Sequence, residues 1–222
     1  GFDHYEVLRG QGTYYNPLFY RPADTVRFDG YTTDIITDRA LSWMDAKRDA
    51  TRPFLLMFQH KAPHRPWDPA PAYLDFERNR IFPEPESLFD DYAGREAPAR
   101  EQEMTIARHL TDRDLKFEPP PELTPAKLPH WRETSARVNA PFRANTPVGA
   151  ALVRWKFQRY VGDYLRTVQS LDDNVGRLLD ALEARGLARN TIVIYSSDQG
   201  FFLGEHGWFD KRWMYEESLR TP

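Results

Sequence analysis

The sequence predicts an α/β fold, and three features carry that prediction. Residues 54–58 (FLLMF) and 191–195 (TIVIY) are short continuous apolar runs with the length and composition of buried strands. Between them, residues 159–185 repeat apolar side chains at three-four spacing, the mark of an amphipathic helix. A strand, a helix and a strand joined by right-handed crossovers build a parallel sheet flanked by helices. At 222 residues with 41% hydrophobic content, the chain is long enough for one well-packed domain.

Residues 1–20, GFDHYEVLRGQGTYYNPLFY, mix Gly, Asn, Pro and Tyr without sustained periodicity and read as a loop with one short strand. Thr32 or Thr33 is placed to cap a helix over 34–47, with Ile36, Ala40, Trp43, Met44 and Lys47 on one side. Asp34 in its first turn and Lys47 with Arg48 in its last suit the helix dipole. This helix is expected to be structural. The run 54–58, introduced by Pro53 and stopped by Pro63, is expected to be a central strand buried on both faces. It ends in QHKAPHRPW, where two His, one Lys and one Arg concentrate cationic and proton-donating groups.

Residues 68–145 are polar and proline-rich, with no strong period apart from a short helix near 100–109. A structureless loop of that length is unusual inside a compact domain, so the stretch reads as an insertion with lid character. In the helix 159–185, Val161, Tyr164, Leu165, Val168, Leu171, Val175, Leu178, Leu179 and Leu182 form the apolar stripe. Gly186 sits where a C-terminal cap belongs, and Asn190 ends the link to the next strand. Asp172 with Asp173, off the stripe, read as a solvated face and not as metal ligands.

The chain is organised around 191–222, TIVIYSSDQGFFLGEHGWFDKRWMYEESLRTP. Its strand delivers Asp198 and Gln199 together at a C-terminal strand end, the edge where ligands bind in open α/β sheets. Lys211 follows twelve residues beyond Gln199, among Phe201, Phe202, Trp208, Phe209 and Trp213, with Gly204 and Gly207 between. A cation is thereby returned towards the same edge.

Composition narrows the classes. With 30 basic and 33 acidic side chains there is no nucleic-acid footprint, and an anionic substrate must be held by a local cluster. No apolar run approaches the roughly 18 residues of a membrane span. The absence of cysteine excludes a disulfide framework, a thiolate zinc site and a thiol nucleophile in these residues.

The order of hydrophobic strand, SSDQG, LGEHG and DKRWMYEESLRTP resembles the type I sulfatases of the alkaline phosphatase superfamily, in particular the bacterial branch acting on sulfated glycans. The resemblance covers the chain from the GFD…GQG…YNP order at its start to RTP at its end. It implies an alkaline phosphatase-like sandwich with a mostly parallel central sheet, incomplete at both ends, so that residues 1–222 are part of a larger catalytic domain. The long insertion 68–145 would then border the substrate cleft, where His109, Lys116, Lys127 and His130 could touch an anionic saccharide, although solvation is the default for each.

By motif position, Asp198 and Gln199 correspond to calcium ligands and Lys211 to the residue that contacts the sulfate. Many relatives carry Asn where this chain has Gln199, which offers the same amide oxygen one methylene further out. HKAPHRPW resembles the family's strand-end motif, whose His after Pro donates to the sulfate and its ester oxygen; this assigns His64. Lys61 fits a substrate contact or a solvated lysine equally. His206 in GEHG fits the substrate rim or a structural role.

The implied reaction is hydrolysis of sulfate esters on sulfated carbohydrates, in which a hydrated formylglycine held on calcium attacks sulfur and the sugar alcohol leaves. Formylglycine and the acidic pair that completes the calcium site are expected upstream of Gly1, so the fragment alone is expected to be inactive and marginally stable. A phosphate or phosphonate monoester hydrolase of the same superfamily is one alternative; a catalytically silent glycan-binding relative is another. The resemblance also implies a periplasmic or secreted location. Oligomeric state leaves no readable mark.

Overall fold

The computed structural model describes residues 1–221. Along the chain come strands β1 (Val7–Leu8), β2 (Leu18–Tyr20) and β3 (Thr25–Arg27), and then helix α1 (Thr32–Ala46). Helices α2 (Ala97–Glu101), α3 (Ile106–His109), α4 (Leu128–Ala144) and α5 (Gly149–Ala184) follow. Strands β4 (Phe202–Leu203) and β5 (Phe209–Asp210) and helix α6 (Glu216–Leu219) complete the order. These residues form two compact units, one from Gly1–Phe76, Pro120–Pro129 and Tyr164–Ile192, the other from Glu77–Pro119, His130–Asp163 and the chain from Val193 onward.

In the first unit, β1, β2 and β3 form an antiparallel meander with Phe19 opposite Leu8 on one side and Val26 on the other. A single short strand was expected here; the turn that adds a second hairpin is closed by Arg21, which donates to Asp24 from backbone and guanidinium alike. Helix α1 forms where the spacing predicts it, but its N-cap is Tyr31, with no side-chain cap. Thr32 and Thr33 lie inside the helix and are buried, because tertiary contacts claim Thr32: its hydroxyl donates to the Thr13 carbonyl and its N–H to that of Tyr14. The buried face runs through Ile35, Ala40 and Met44, one position off the expected start at Ile36.

The C-terminal part of α5 runs parallel to α1, as three cross-links at nearly constant offset require: Asn174 to Asp34 (2.8 Å), Arg177 to Asp38 (2.5 Å) and Arg185 to Asp45 (2.7 Å). Helix α5 begins at Gly149, ten residues before the apolar stripe makes it visible in the sequence. It stops where predicted. Gly186 takes φ +66°, the left-handed turn that a Cβ disfavours, and Leu187 N–H then reaches the Leu182 carbonyl.

The second unit is centred on Phe202 and Trp208, both fully buried, with Ala99 and Met104 against them. Gly204 (φ +111°) lets β4 turn back beside the Phe157 ring; a Cβ there would lie 2.5 Å from that ring. The stretch 68–145 holds more structure than its composition suggests. Around the expected short helix lie α2 and α3, and α4 was not visible in the sequence, which places Pro141 inside it. Long-range contacts stabilise it: Asn139 donates to the Lys116 carbonyl, and Phe142 packs on Phe117 and Trp155 at 5.1 and 4.1 Å between ring centroids.

The two expected core strands depart most from the sequence reading. Neither 54–58 nor 191–195 is paired into a sheet, and the sheets among the described residues are antiparallel. Burial alternates residue by residue from Phe54 to His60, the period of a strand packed on one face. Its other face, expected to be covered, is open: Leu55 is 73% exposed. Ile192 is 90% exposed. A parallel strand requires neighbours on both edges and layers on both faces, and the described residues supply neither to these runs. Beside 54–58 lies a groove of about 480 Å³ bordered by Val7, Leu8, Trp43, Leu55, Met57 and His60.

Candidate functional site

In the first unit, the loop after residue 58 brings Lys61 and His64 together. Lys61 Nζ donates to the Arg65 carbonyl (3.4 Å), and His64 Nδ1 lies 2.9 Å from that same oxygen. Donation to a carbonyl places the proton of the neutral ring on Nδ1, so a proton donated from Nε2 comes from the imidazolium. Lys61 also donates to the Gln11 carbonyl (3.1 Å) and lies 5.0 Å above the Tyr14 ring.

Three buried tyrosines fix the course of this loop. The Tyr14 hydroxyl donates to the His64 carbonyl (2.6 Å), Tyr31 to that of Asp68 (2.9 Å) and Tyr15 to that of Pro69 (2.5 Å). The three rings pack on one another, Tyr31 lying 5.9 Å from Tyr14 and 5.4 Å from Tyr15. Burial pushes the Tyr14 and Tyr31 hydroxyls well above their usual pKa, which keeps them donors at any physiological pH. The sequence signal at Tyr14 and Tyr15 is the density of Tyr in GTYYNPLFY, which does not say what each hydroxyl reaches.

His60, beside them, is a different case. Its ring packs edge-on against Phe58, neither nitrogen has a hydrogen-bond partner, and burial lowers its pKa to about 4. It is a neutral imidazole at the wall of the groove.

The second unit holds the other four candidates. Asp198 is exposed and Gln199 partly so, and their loop is held locally: Gln199 N–H points to Ser197 Oγ at 3.5 Å, and Ser196 Oγ to the Ser197 carbonyl at 3.3 Å. Gly200 then anchors the chain by donating to the Ser218 carbonyl at 2.8 Å.

His206 is fixed from every side. It adopts φ +56°; its N–H donates to Ser87 Oγ (2.9 Å), its carbonyl accepts from the Tyr92 hydroxyl (2.7 Å), and its Nδ1 lies 2.7 Å from Asp90 Oδ2. Burial opposes ionisation of Asp90, but hydrogen bonds from His206, the Tyr92 N–H and Arg95 outweigh it and hold the carboxyl below its usual pKa. Lys211 Nζ lies 3.6 Å from Asp210 and 5.7 Å from the Phe201 ring centroid. Asp210 is 1% exposed, has φ +72° and also pairs with Arg212 at 2.8 Å. Among the described residues, no hydrogen bond or ion pair joins Asp198 or Gln199 to His206 or Lys211.

Asp90, Tyr92 and Ser87 carried no sequence signal, since they lie more than a hundred residues before the His they hold. Asp210 and Arg212 flank Lys211, and the acid–base–base triplet itself was the available signal.

The metal expected at Asp198 and Gln199 meets donors of the right kind, a carboxylate and an amide oxygen, but too few of them. Calcium takes six to eight oxygens. Among the described residues no three His, Asp or Glu side chains gather in a way that could hold a metal ion. Asp198 and Gln199 alone do not complete such a site among the described residues.

Comparison with known proteins places this geometry in context. The family model described as Sulfatase matches residues 1–222. An N-acetylglucosamine-6-O-sulfatase of Bacteroides thetaiotaomicron is 47% identical over 241 aligned residues, covering all of this chain and 43% of that protein. The human N-acetylglucosamine-6-sulfatase is 27% identical over 86% of this chain and 27% of its own length. Among solved structures, that of BT4656 in complex with its substrate D-glucosamine-2-N,6-O-disulfate superposes with a TM-score of 0.94 at 46% identity, over the whole of this chain and 48% of that one. This chain therefore spans less than half the length of these relatives. Its mixed helices and strands take the alkaline phosphatase-like α/β fold expected from the sequence, with the parallel-sheet runs left unpaired among the described residues. On the family match over its full length, the chain belongs to the sulfatase family.

Proposed function

We propose that the protein carrying this chain hydrolyses sulfate esters of sulfated carbohydrates, with a 6-O-sulfated glucosamine as its substrate class. The observation that carries this reading is the 47% identity, spread over the whole chain, to an N-acetylglucosamine-6-O-sulfatase. The loop chemistry supports it. When the S–O bond breaks, negative charge grows on the departing sugar oxygen, and a positioned donor there lowers the barrier more than it stabilises the ground state. His64 is assigned that role: the imidazolium keeps Nδ1–H on the Arg65 carbonyl and delivers the Nε2 proton to the leaving oxygen. Lys61, bound to the same carbonyl, is assigned to the substrate anion.

Lys211 is assigned as the sulfate clamp. Its ammonium is held by the buried Asp210, so little reorganisation is needed when an anion arrives. His206, held by Asp90, is assigned to the substrate rim. Asp198 and Gln199 would be two of the oxygen ligands of a calcium ion, which when bound supplies Lewis acidity and a template. The nucleophile, a formylglycine, and the remaining ligands belong to residues beyond this chain in this reading. A periplasmic or secreted location is part of the same proposal, supported by family resemblance; among the described residues no helix is long and apolar enough to cross a membrane.

Expression of the full-length protein and measurement of sulfate release from glucosamine 6-O-sulfate tests this reading. We expect turnover of the sulfate ester, with 4-nitrophenyl phosphate and phenylphosphonate esters at least ~100-fold slower, and no turnover by residues 1–222 alone. Faster cleavage of the phosphorus esters would move the protein to a phosphoesterase. Binding of the sulfated sugar without turnover would make it a silent glycan binder.

A further inference from the structure

We infer that Tyr14 is a positioning residue for the proton donor: its hydroxyl holds the His64 backbone, and its ring seats Lys61, so that both candidate side chains of the loop are set by one buried side chain. The inference rests on the reading of His64 given above. Tyr14 is 2% exposed and lies fifty residues before His64 in the chain. Its hydroxyl donates to the His64 carbonyl at 2.6 Å, an oxygen that also receives the Trp67 N–H at a long 3.4 Å. The tyrosine is the shorter of the two contacts.

The His64 ring has two side-chain torsions between it and this anchored backbone, and its Nδ1 is held 2.9 Å from the next carbonyl, that of Arg65. Fixing the main chain at residue 64 and the ring at Nδ1 leaves Nε2 little freedom in direction. The face of the Tyr14 ring lies 5.0 Å below Lys61 Nζ, which reaches back to the same Arg65 carbonyl. An ammonium over a ring face is attracted by its quadrupole. Tyr14 therefore touches both functional side chains' supports without needing to contact substrate. Tyr15 and Tyr31 anchor the loop further on, at Pro69 and Asp68, beyond Lys61 and His64.

A donor that is slightly misplaced harms a poor leaving group more than a good one, because a good leaving group departs without its proton. The test uses the full-length enzyme with two substrates, glucosamine 6-O-sulfate, whose alcohol needs a proton, and 4-nitrophenyl sulfate, whose phenolate does not. For Tyr14→Phe we expect kcat on the sugar sulfate to fall about 10- to 100-fold, kcat on the aryl sulfate to fall less than about 3-fold, and KM to stay within about 2-fold. His64→Ala should show the same selectivity more strongly, and adding Tyr14→Phe to it should cost little more. Tyr15→Phe, which removes an equally buried hydroxyl from the same cluster, should lower the thermal midpoint as Tyr14→Phe does while keeping the ratio of the two activities.

If Tyr14→Phe lowers both activities alike, or neither, while His64→Ala remains selective, the positioning role is wrong and the reading of His64 stands. If His64→Ala is itself unselective, the assignment of the donor fails and this inference fails with it. Should Tyr14→Phe not fold, Thr167→Val, which removes the hydroxyl that hydrogen-bonds to Tyr14, provides the same ratio measurement, and an unchanged ratio there would overturn the inference.

Discussion

The loop at 59–69 and the loop at 196–200 follow apolar runs of the same kind, and they are held in opposite ways. Around His64, three carbonyls receive phenol protons from tyrosines 37 to 54 residues away in sequence, with the Tyr31 ring stacked on that of Tyr14 and edge-on to that of Tyr15. Around Asp198, the side-chain bonds are local and long, from Ser196 and Ser197, and the first distant anchor is the Gly200 N–H. A group that must deliver a proton in one direction gains from a fixed backbone. In the proposed function, a carboxylate and an amide that meet a cation would acquire their geometry from the ion and its other ligands.

In the full-length enzyme, His64→Ala should lower kcat on a sugar sulfate by about 10²–10⁴-fold, the usual worth of a positioned acid, as measured in steady-state kinetics. A loss below 10-fold would remove the reason for the clamp.

Acid should weaken the clamped unit through His60. Its imidazole titrates near 6.5 when unfolded and at about 4 when folded, lowered by burial. Above pH 6.5 both states are neutral and nothing changes. Between 6.5 and 4 the unfolded chain takes a proton that the folded chain refuses, so stability falls as pH falls, by up to about 3 kcal/mol at and below pH 4. Urea midpoints of the full-length protein across this range should show the slope, and His60→Leu should flatten it.

Tyr15→Phe leaves the Pro69 carbonyl, buried with its loop, without its phenol, and should cost about 1–3 kcal/mol in chemical denaturation. Ser197→Ala, in the other loop, should change stability by less than about 0.5 kcal/mol, because it removes only an exposed contact at 3.5 Å. Equal losses from these two substitutions would erase the difference between the loops.

Local chemistry was legible in the sequence where it is self-contained. Helix α1 and the C-terminal stop of α5 at Gly186 follow from spacing, capping and charge within one segment, whereas Asp173, read as solvated, is exposed but accepts from the distant Tyr73 hydroxyl. The motifs that carry the candidate residues were legible as well, since His64, Asp198 and Lys211 lie in short runs that keep their order whatever surrounds them. The start of α5 and the whole of α4 were hidden, because their helicity draws on partners such as Phe117, Trp155 and the Lys116 carbonyl that no window of sequence contains. The cap of α1 was misread for the same reason, the Thr32 hydroxyl being taken by Thr13.

The runs 54–58 and 191–195 mark the limit most clearly. Sequence alone determines that they are apolar, with β-branched residues dominating 191–195, and so suited to a sheet. Pairing is a property of two segments, and Leu55 and Ile192 stay exposed because hydrogen bonds and covering layers have to come from elsewhere. The grip of Tyr14, Tyr15 and Tyr31 on the loop after residue 58, and that of Asp90 on His206, exist in the folded chain alone, since a hydroxyl or carboxylate finds its partner through the folded path of the chain and not through its distance along it.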